Sequence, residues 1–556
     1  MDFVTGQLIE FFKMHPMSLA TSVLFTLTFP VDDFLVPYLA GRIITAVQRR
    51  KPWLRLLLAL TGVLVSLQAI NAIAAWHDST VIPKLQNHVR HGIFEDVLRS
   101  LQTCYEEPAT GETMSMLVKI PLATACLYEQ FKNHLAPHFL SFVVTSVYIM
   151  FHDRVLGIIV LVIVMCIYAT ALLSPAKCHT ATAEQEAKLS DIDEHAEDVL
   201  RNAVTVHLNE RADDELAHVR RLEDEYQWSY ERTVRCISRS RAFAIALMAL
   251  LVALVGYTCY VKAERNALSA GTSVSIILMM VQWFAVLGWV IDNCRDLVVD
   301  WGIVVSYDRA RRAARDRDPT CRRAEEDPWA VREDPGGIVF EDVVFQPRGH
   351  KHAVLNGASL VVPHGQRVGI VGGIGCGKTT MIKLLVGLQR ASSGSIRIDG
   401  VPVGPATHAQ LRRRIGFVPQ SPVLFNRSIY ENIVYGAPWA TYEDVERLVA
   451  RVGLTDAFRD LEGGLHARAG KSGSALSGGQ RQLVSCLRAL LPDPDIIVLD
   501  EVTSSIDAGT KALLMRFLDE ALYGRTAIVV THDPELLSIV DVVYEMRDGK
   551  PWPIQR

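Results

Sequence analysis

The ten cysteines of this 556-residue chain include no C-x-x-C pair. Their scatter argues against a disulfide framework and against a structural zinc site. Excess basic charge is missing too: 57 Lys and Arg stand against 61 Asp and Glu, a formal net charge of −4. That balance lacks the electrostatic footprint of a nucleic-acid binder. Asp2 and Glu10 sit where a secretory leader would be basic, and no small-residue cleavage site follows, so no cleaved signal peptide is expected. Some stretches lack charge altogether: Val155–Leu173 carries none.

Apolar residues make up 49% of the chain and are concentrated before residue 295. Six runs there are long enough to cross a bilayer, which takes roughly 20 residues. They are Met17–Ile44, Trp53–Trp76, Ala136–Phe151, Val155–Leu173, Ala242–Tyr260 and Ser273–Ile291. Ahead of them, Phe3, Leu8, Ile9, Phe11 and Phe12 are read as a short interfacial helix. Short loops join the spans in pairs. Two long polar segments with helical pattern, 77–135 and 174–241, separate the pairs. The basic loop Arg49, Arg50, Lys51 after the first span runs against the usual inside bias of positive charge.

Asp32 and Asp33 lie within the first span, between Pro30 and Pro37. Carboxylates at that depth face a cavity or a partner. They are read as lining a substrate path, the alternative being a kinked helix whose carboxylates reach water. Gln282 and Trp283 in the last span form a polar and aromatic face, for which helix packing is the competing reading.

From residue 337 the pattern changes to short apolar runs with turns, after an Arg-, Asp-, Glu- and Pro-containing linker at 311–336. Strand Gln366–Val371 feeds the loop Gly372-Gly373-Ile374-Gly375-Cys376-Gly377-Lys378-Thr379-Thr380, which opens a helix. A strand, G-x-x-x-x-G-K-T loop and helix in that order cradles the phosphates of a nucleoside triphosphate. Lys378 should reach the β- and γ-phosphates and Thr379 should ligate Mg²⁺. Asp500 ends the apolar run Ile496–Leu499, as a Mg²⁺-holding aspartate does, and Glu501 follows it.

With Leu476-Ser477-Gly478-Gly479-Gln480 between the phosphate loop and Asp500, the order of motifs resembles the ATP-binding cassette (ABC) family. The six-span layout is similar to its half-size type IV exporters. The resemblance implies a membrane α-helical domain with six transmembrane helices and long cytosolic extensions, plus an α/β P-loop cassette. The expected boundaries are 1–310 for the membrane domain, 311–336 for the linker and 337–556 for the cassette. It implies that Glu501 polarises the attacking water, that Gln420 senses Mg²⁺ and water, and that His532 contacts the γ-phosphate. Asp507 belongs to the implied D-loop. Ser477, Gly478, Gly479 and Gln480 are implied to cap ATP held by a second copy, which makes the working unit a homodimer in a lipid bilayer. The implied protein is multi-pass, its cassette facing cytosol or matrix. It exports a small molecule, lipid or peptide and has no nucleic-acid partner. An ATP-gated channel or regulatory subunit is the alternative.

Three departures stand out. No aromatic residue sits at Pro347, about where the family's adenine-stacking tyrosine falls; Arg348, His350 or His352 would have to substitute. Lys471 replaces the usual glutamate ahead of the signature. Thr110-Gly111-Glu112 matches the first coupling region, but Met116 and Ile120 stand where Arg and Asp are usual. Ala203–Glu215 is the expected second coupling region.

Overall fold

The first apolar run is not one continuous α-helix. In the computed structural model, α1 (Phe3–Met14) and α2 (Pro16–Thr26) lead to a widened π-helical turn at Val31–Leu35, and α3 (Val36–Gln48) follows. A second π turn, Phe131–Leu135, separates α5 (Thr110–Gln130) from α6 (Ala136–His152). Each widened turn runs into a proline, Pro37 or Pro137. A proline ring cannot donate to the carbonyl one turn back and clashes with it, so the turn before it opens.

The structure describes residues 3–103, 110–265, 267–317, 336–347, 350, 352–404, 407–459, 461–504 and 506–554. The expected linker therefore lies outside the described residues from 318 to 335, as does Arg348. The chain forms two compact units, Met1–Val97 with Pro108–Ala314, and Leu98–Glu107 with Arg315–Arg556.

In the first unit, α4 (Leu54–Thr103), α7 (Arg154–Arg201), α9 (Ala212–Glu264) and α10 (Ala270–Arg317) are long helices. At 1.5 Å per residue α7 extends about 70 Å, far beyond the hydrocarbon thickness of a bilayer. Among the described residues, four helical segments are long and apolar enough to span a membrane, and Arg154–Ala169 and Ala270–Phe284 are shorter apolar segments. Asp153 starts α7 by accepting the backbone N–H groups of Val155 and Leu156. The short helix α8 (Ala203–Leu208) joins α7 to α9 and leaves Val204 and Leu208 exposed.

Helix α1 packs one face on its neighbours: Val4 and Phe11 are buried among Leu85 and Ile93 of α4, Ile120 of α5 and Tyr307 of α10, while Ile9 is exposed. The Phe3 N–H donates to Asp308 at 3.0 Å. Cys236 on α9 is disulfide-bonded. Its neighbours in sequence gave no spacing signal for that.

In the second unit, β1 (Ile338–Phe345), β2 (Leu355–Val362), β4 (Ser393–Ile398) and β5 (Val401–Pro402) form an antiparallel sheet. A six-stranded sheet has the order β10-β9-β3-β8-β7-β6. Its members are β3 (Arg367–Val371), β6 (Ile415–Val418), β7 (Ile496–Asp500), β8 (Thr526–Val530), β9 (Val542–Arg547) and β10 (Lys550–Ile554). All pairs are parallel except β10 with β9. Both faces are covered, so β7 and β8 are buried along their whole length and apolar at Ile496–Leu499 and Ala527–Val530, as buried parallel strands are. Ile496 and Val498 pack with the helix Lys378–Leu385, while Ile497 and Leu499 pack with the helix Gly478–Leu490. Successive strand residues point to opposite faces, so these two helices lie on opposite faces of the sheet.

Candidate functional site

The strand order brings the cassette's chemistry together. The loops after β3, β8, β7 and β6 begin with Gly372, Thr531, Glu501 and Pro419. They leave the carboxyl ends of four neighbouring parallel strands, where ligands bind in open α/β sheets.

The phosphate loop needs glycine by geometry. Gly377 has φ +104, and a Cβ there would meet Leu355 at 2.8 Å and the Val354 carbonyl at 3.1 Å. Lys378 is buried, and its Nζ donates to the carbonyls of Gly372 at 2.5 Å and Gly373 at 3.0 Å. The ammonium thus closes its own loop and sits 4.0 Å from Cys376 Sγ. Gly373, Ile374 and Gly375 are exposed at the loop tip, and Thr380 is half-buried in the helix that follows.

Next to the loop, Asp500 is 3% exposed. Burial raises its pKa, the Thr379 hydroxyl bonded to it opposes the shift, and the Glu501 charge reinforces it. The net direction is upward. Oδ1 of Asp500 is buried with no hydrogen-bond partner among the described residues. A hydroxyl and a carboxylate oxygen converging in this way suit a hard divalent cation, so the residues fit Mg²⁺.

Gln420 Nε2 donates to Glu501 Oε2 at 2.8 Å. That bond orients the carboxylate. Glu501 has φ +47, a strained conformation for a non-glycine residue that is found where function over-determines the backbone. Its N–H is held by the Val530 carbonyl at 2.9 Å. His532 is exposed at the end of β8.

Ser477 and Gln480 form a reciprocal capping box at the start of Gly478–Leu490: Gln480 N donates to Ser477 Oγ at 3.1 Å, and Ser477 N to Gln480 Oε1 at 3.0 Å. Gly479 is buried against Thr510, whose side chain a Cβ would meet at 2.6 Å. Asp507 caps the helix Ala508–Leu522 by accepting from Thr510 N at 2.9 Å and its hydroxyl at 2.7 Å. Those bonds hold its carboxyl below the usual range. The signature therefore starts a helix on the face opposite the phosphate-loop helix. Lys471 is exposed in the turn before it, and His350 and His352 are exposed beyond Pro347.

The membrane candidates separate from one another. Asp33 is buried in the π turn. Its Oδ2 accepts from Ser141 Oγ at 2.6 Å and lies 3.4 Å from His138 Nδ1, and its Oδ1 accepts from Gln282 Nε2 at 2.9 Å. One carboxylate thus ties the first span to the third and the last. Asp32 is half-exposed. Trp283 is 1% exposed and packs edge-on against Phe142 at 4.3 Å, so it is an apolar core residue in this protomer. Sequence reading missed Lys132, buried in the second π turn and ion-paired with Asp78 of α4. It also missed Ser141 and His138, which no motif flags. A charged residue beside a span was the only available signal.

Comparison with known proteins agrees with this architecture. Residues 355–504 match the ABC transporter family, and residues 20–287 match the ABC transporter transmembrane region. A β-(1→2)glucan export ATP-binding/permease protein, NdvA, of Rhodopseudomonas palustris is 30% identical over 476 residues, covering 83% of this chain and 76% of that one. A probable multidrug resistance ABC transporter ATP-binding/permease protein, YheI, of Bacillus subtilis is 38% identical over 216 residues, 39% of this chain and 37% of its own. The structure of a bacterial Atm1-family ABC exporter with ATP bound superposes with a TM-score of 0.80 at 21% identity, covering 96% of this chain and 94% of that one.

Proposed function

The chain belongs to the ABC transporter family as a half-size type IV exporter, an ATP-hydrolysing multi-pass membrane protein with a cytosolic cassette, and from that premise we propose how its residues work. Two copies associate, and each phosphate loop together with the partner's signature segment encloses one ATP. The observation that carries this is the grouping of the phosphate loop, Gln420, Asp500, Glu501 and His532 on four adjacent strand ends. The capped signature helix on the opposite face supports a role for Ser477 toward a second cassette.

Lys378 exchanges its loop carbonyls for the β- and γ-phosphate oxygens, and the loop N–H groups hold the remaining phosphate oxygens. Thr379, Asp500 and Gln420 would hold Mg²⁺, which would supply neutralisation of the phosphate charge there. Glu501 accepts the proton of the attacking water, and Gln420 keeps its carboxylate aimed. His532 donates to the γ-phosphate. Closure of the cassettes on ATP and their reopening after hydrolysis alternate the access of the membrane domain.

The polar cluster around Asp33 supports a polar, hydroxyl-bearing cargo, in keeping with the glucan in the name of the relative matched over most of the chain. ATPase rate in lipid bilayers, scanned against soluble glucans, peptides, lipids and cationic drugs, tests this. Stimulation by glucans is expected. Stimulation by another class alone would replace the cargo assignment. A basal rate no higher than that of Glu501→Gln would favour an ATP-gated or regulatory subunit.

Asp33→Asn is expected to keep some bonding to Ser141 and Gln282 but remove the charge. The cargo concentration for half-maximal ATPase stimulation should rise about tenfold, the worth of one charge-assisted hydrogen bond. A stimulation curve identical to wild type would take Asp33 off the substrate path.

A further inference from the structure

The strand ends that carry His532 and Glu501 do not by themselves fix the loops beyond them. The helix Ala508–Leu522 does, through one lysine. Lys511 lies on its first turn, and the Lys511 N–H donates to the Asp507 carbonyl at 2.8 Å. Its Nζ reaches across to Asp533, the residue after His532, at 2.8 Å to Oδ2 and 3.0 Å to Oδ1. A weaker approach to Glu535 is 3.4 Å.

Asp533 is a junction. Its Oδ1 also accepts the Glu535 N–H at 3.1 Å, capping the short helix Pro534–Ser538. Its own N–H donates to Thr531 Oγ1 at 2.9 Å. Thr503, two residues past Glu501, hydrogen-bonds the same carboxylate. Burial works to raise the Asp533 pKa, but Lys511, the Glu535 N–H and Thr503 outweigh it and hold the carboxyl below its ordinary range. Asp533 is 13% exposed and Lys511 26%. The Asp533 carboxylate makes several bonds at once, so its geometry is fixed better than that of an isolated surface pair.

We propose that Lys511 and Asp533 form a positioning pair for ATP hydrolysis, clamping the His532 loop to the Asp507 loop and to the segment after Glu501. Neither residue touches the nucleotide. The pair acts through His532, so it rests on the hydrolytic roles given to His532 and Glu501 above. A cation and a carboxylate that link three separate segments set the angle of each against the others. Misplacing a catalytic group by an ångström costs far more in rate than in binding. The pair also gives a direct route by which movement of the Asp507 loop reaches the histidine.

The test is steady-state ATPase kinetics of the full-length protein in lipid bilayers, with nucleotide binding and thermal unfolding measured alongside. Lys511→Met removes the charge. Asp533→Asn keeps a side chain that caps helices well while removing the charge. Each is expected to lower kcat about tenfold with KM within about twofold of wild type. The double variant should be no slower than either single one. Lys511→Arg should recover most of the rate. Adding Lys511→Met to His532→Ala should bring little further loss, because both act through one group. Unchanged kcat in both single variants would overturn the proposal. So would additive losses with His532→Ala, or a rise in KM that accounts for the effect. A fall in thermal stability matching the loss of rate in Lys511→Met and Lys511→Arg alike would reduce the pair to a structural contact. If wild type hydrolyses no faster than Glu501→Gln, the underlying assignment of Glu501 fails instead, and that outcome is read before any Lys511 variant.

Discussion

Replacing Glu501 with Gln is expected to cut ATP turnover by about 100- to 10,000-fold, the usual contribution of a positioned general base. The substitution is close to isosteric. Its amide oxygen still accepts from Gln420 Nε2, which now bonds Glu501 Oε2 at 2.8 Å. The strained backbone at φ +47 costs Gln as much as Glu, so the fold is retained. ATP binding is therefore preserved and the closed, ATP-bound dimer accumulates. Turnover is checked by phosphate release, and accumulation by cross-linking or size exclusion with ATP present. Wild-type turnover in this variant would remove the general-base role from Glu501. Turnover lost together with ATP binding would indicate collapse of the site rather than loss of a base.

Lys378→Ala is expected to act at the earlier step and weaken ATP binding by about 10- to 150-fold, the worth of 1.5–3 kcal/mol for hydrogen bonds to a charged group. Two losses combine there. The phosphates lose their cation, and the loop loses the ammonium that ties the Gly372 and Gly373 carbonyls together. Lys378→Arg should restore little, since a planar fork does not fit two carbonyls gathered around a point charge. Fluorescent-nucleotide titration measures the affinity. An unchanged Kd in Lys378→Ala would show that the backbone N–H groups alone carry phosphate binding.

The two variants separate because Lys378 and Glu501 come from different kinds of sequence information. The phosphate loop is contiguous: β3, the six loop residues 372–377 and the helix that starts at Lys378 follow one another without a break. Its chemistry is local, so its residue types could be assigned from spacing alone. The membrane character of the first half is local too, because crossing a bilayer sets a minimum apolar length. Gln420, Glu501 and His532 needed the family resemblance. Each is an ordinary residue at a strand end until neighbouring strands bring it near the others.

Sequence by itself therefore determined the membrane character of the first half, the phosphate loop with its lysine, and the family. These rest on apolar length and on residues adjacent in the chain. Tertiary structure decided the rest. It inserted β8 between β3 and β7 and set β6 beside β7, which gathers Lys378, Asp500, Glu501, Gln420 and His532 on one sheet edge. It joined Asp33 to Ser141 and Gln282 across three spans, and buried Trp283 against Phe142 where sequence offered it as a site residue. It paired Lys511 with Asp533. The physical reason is the same in each case. Buried polar groups and opposite charges must find partners, but which partner is near is fixed by strand order and helix packing, and neither is written in the spacing of residues along the chain.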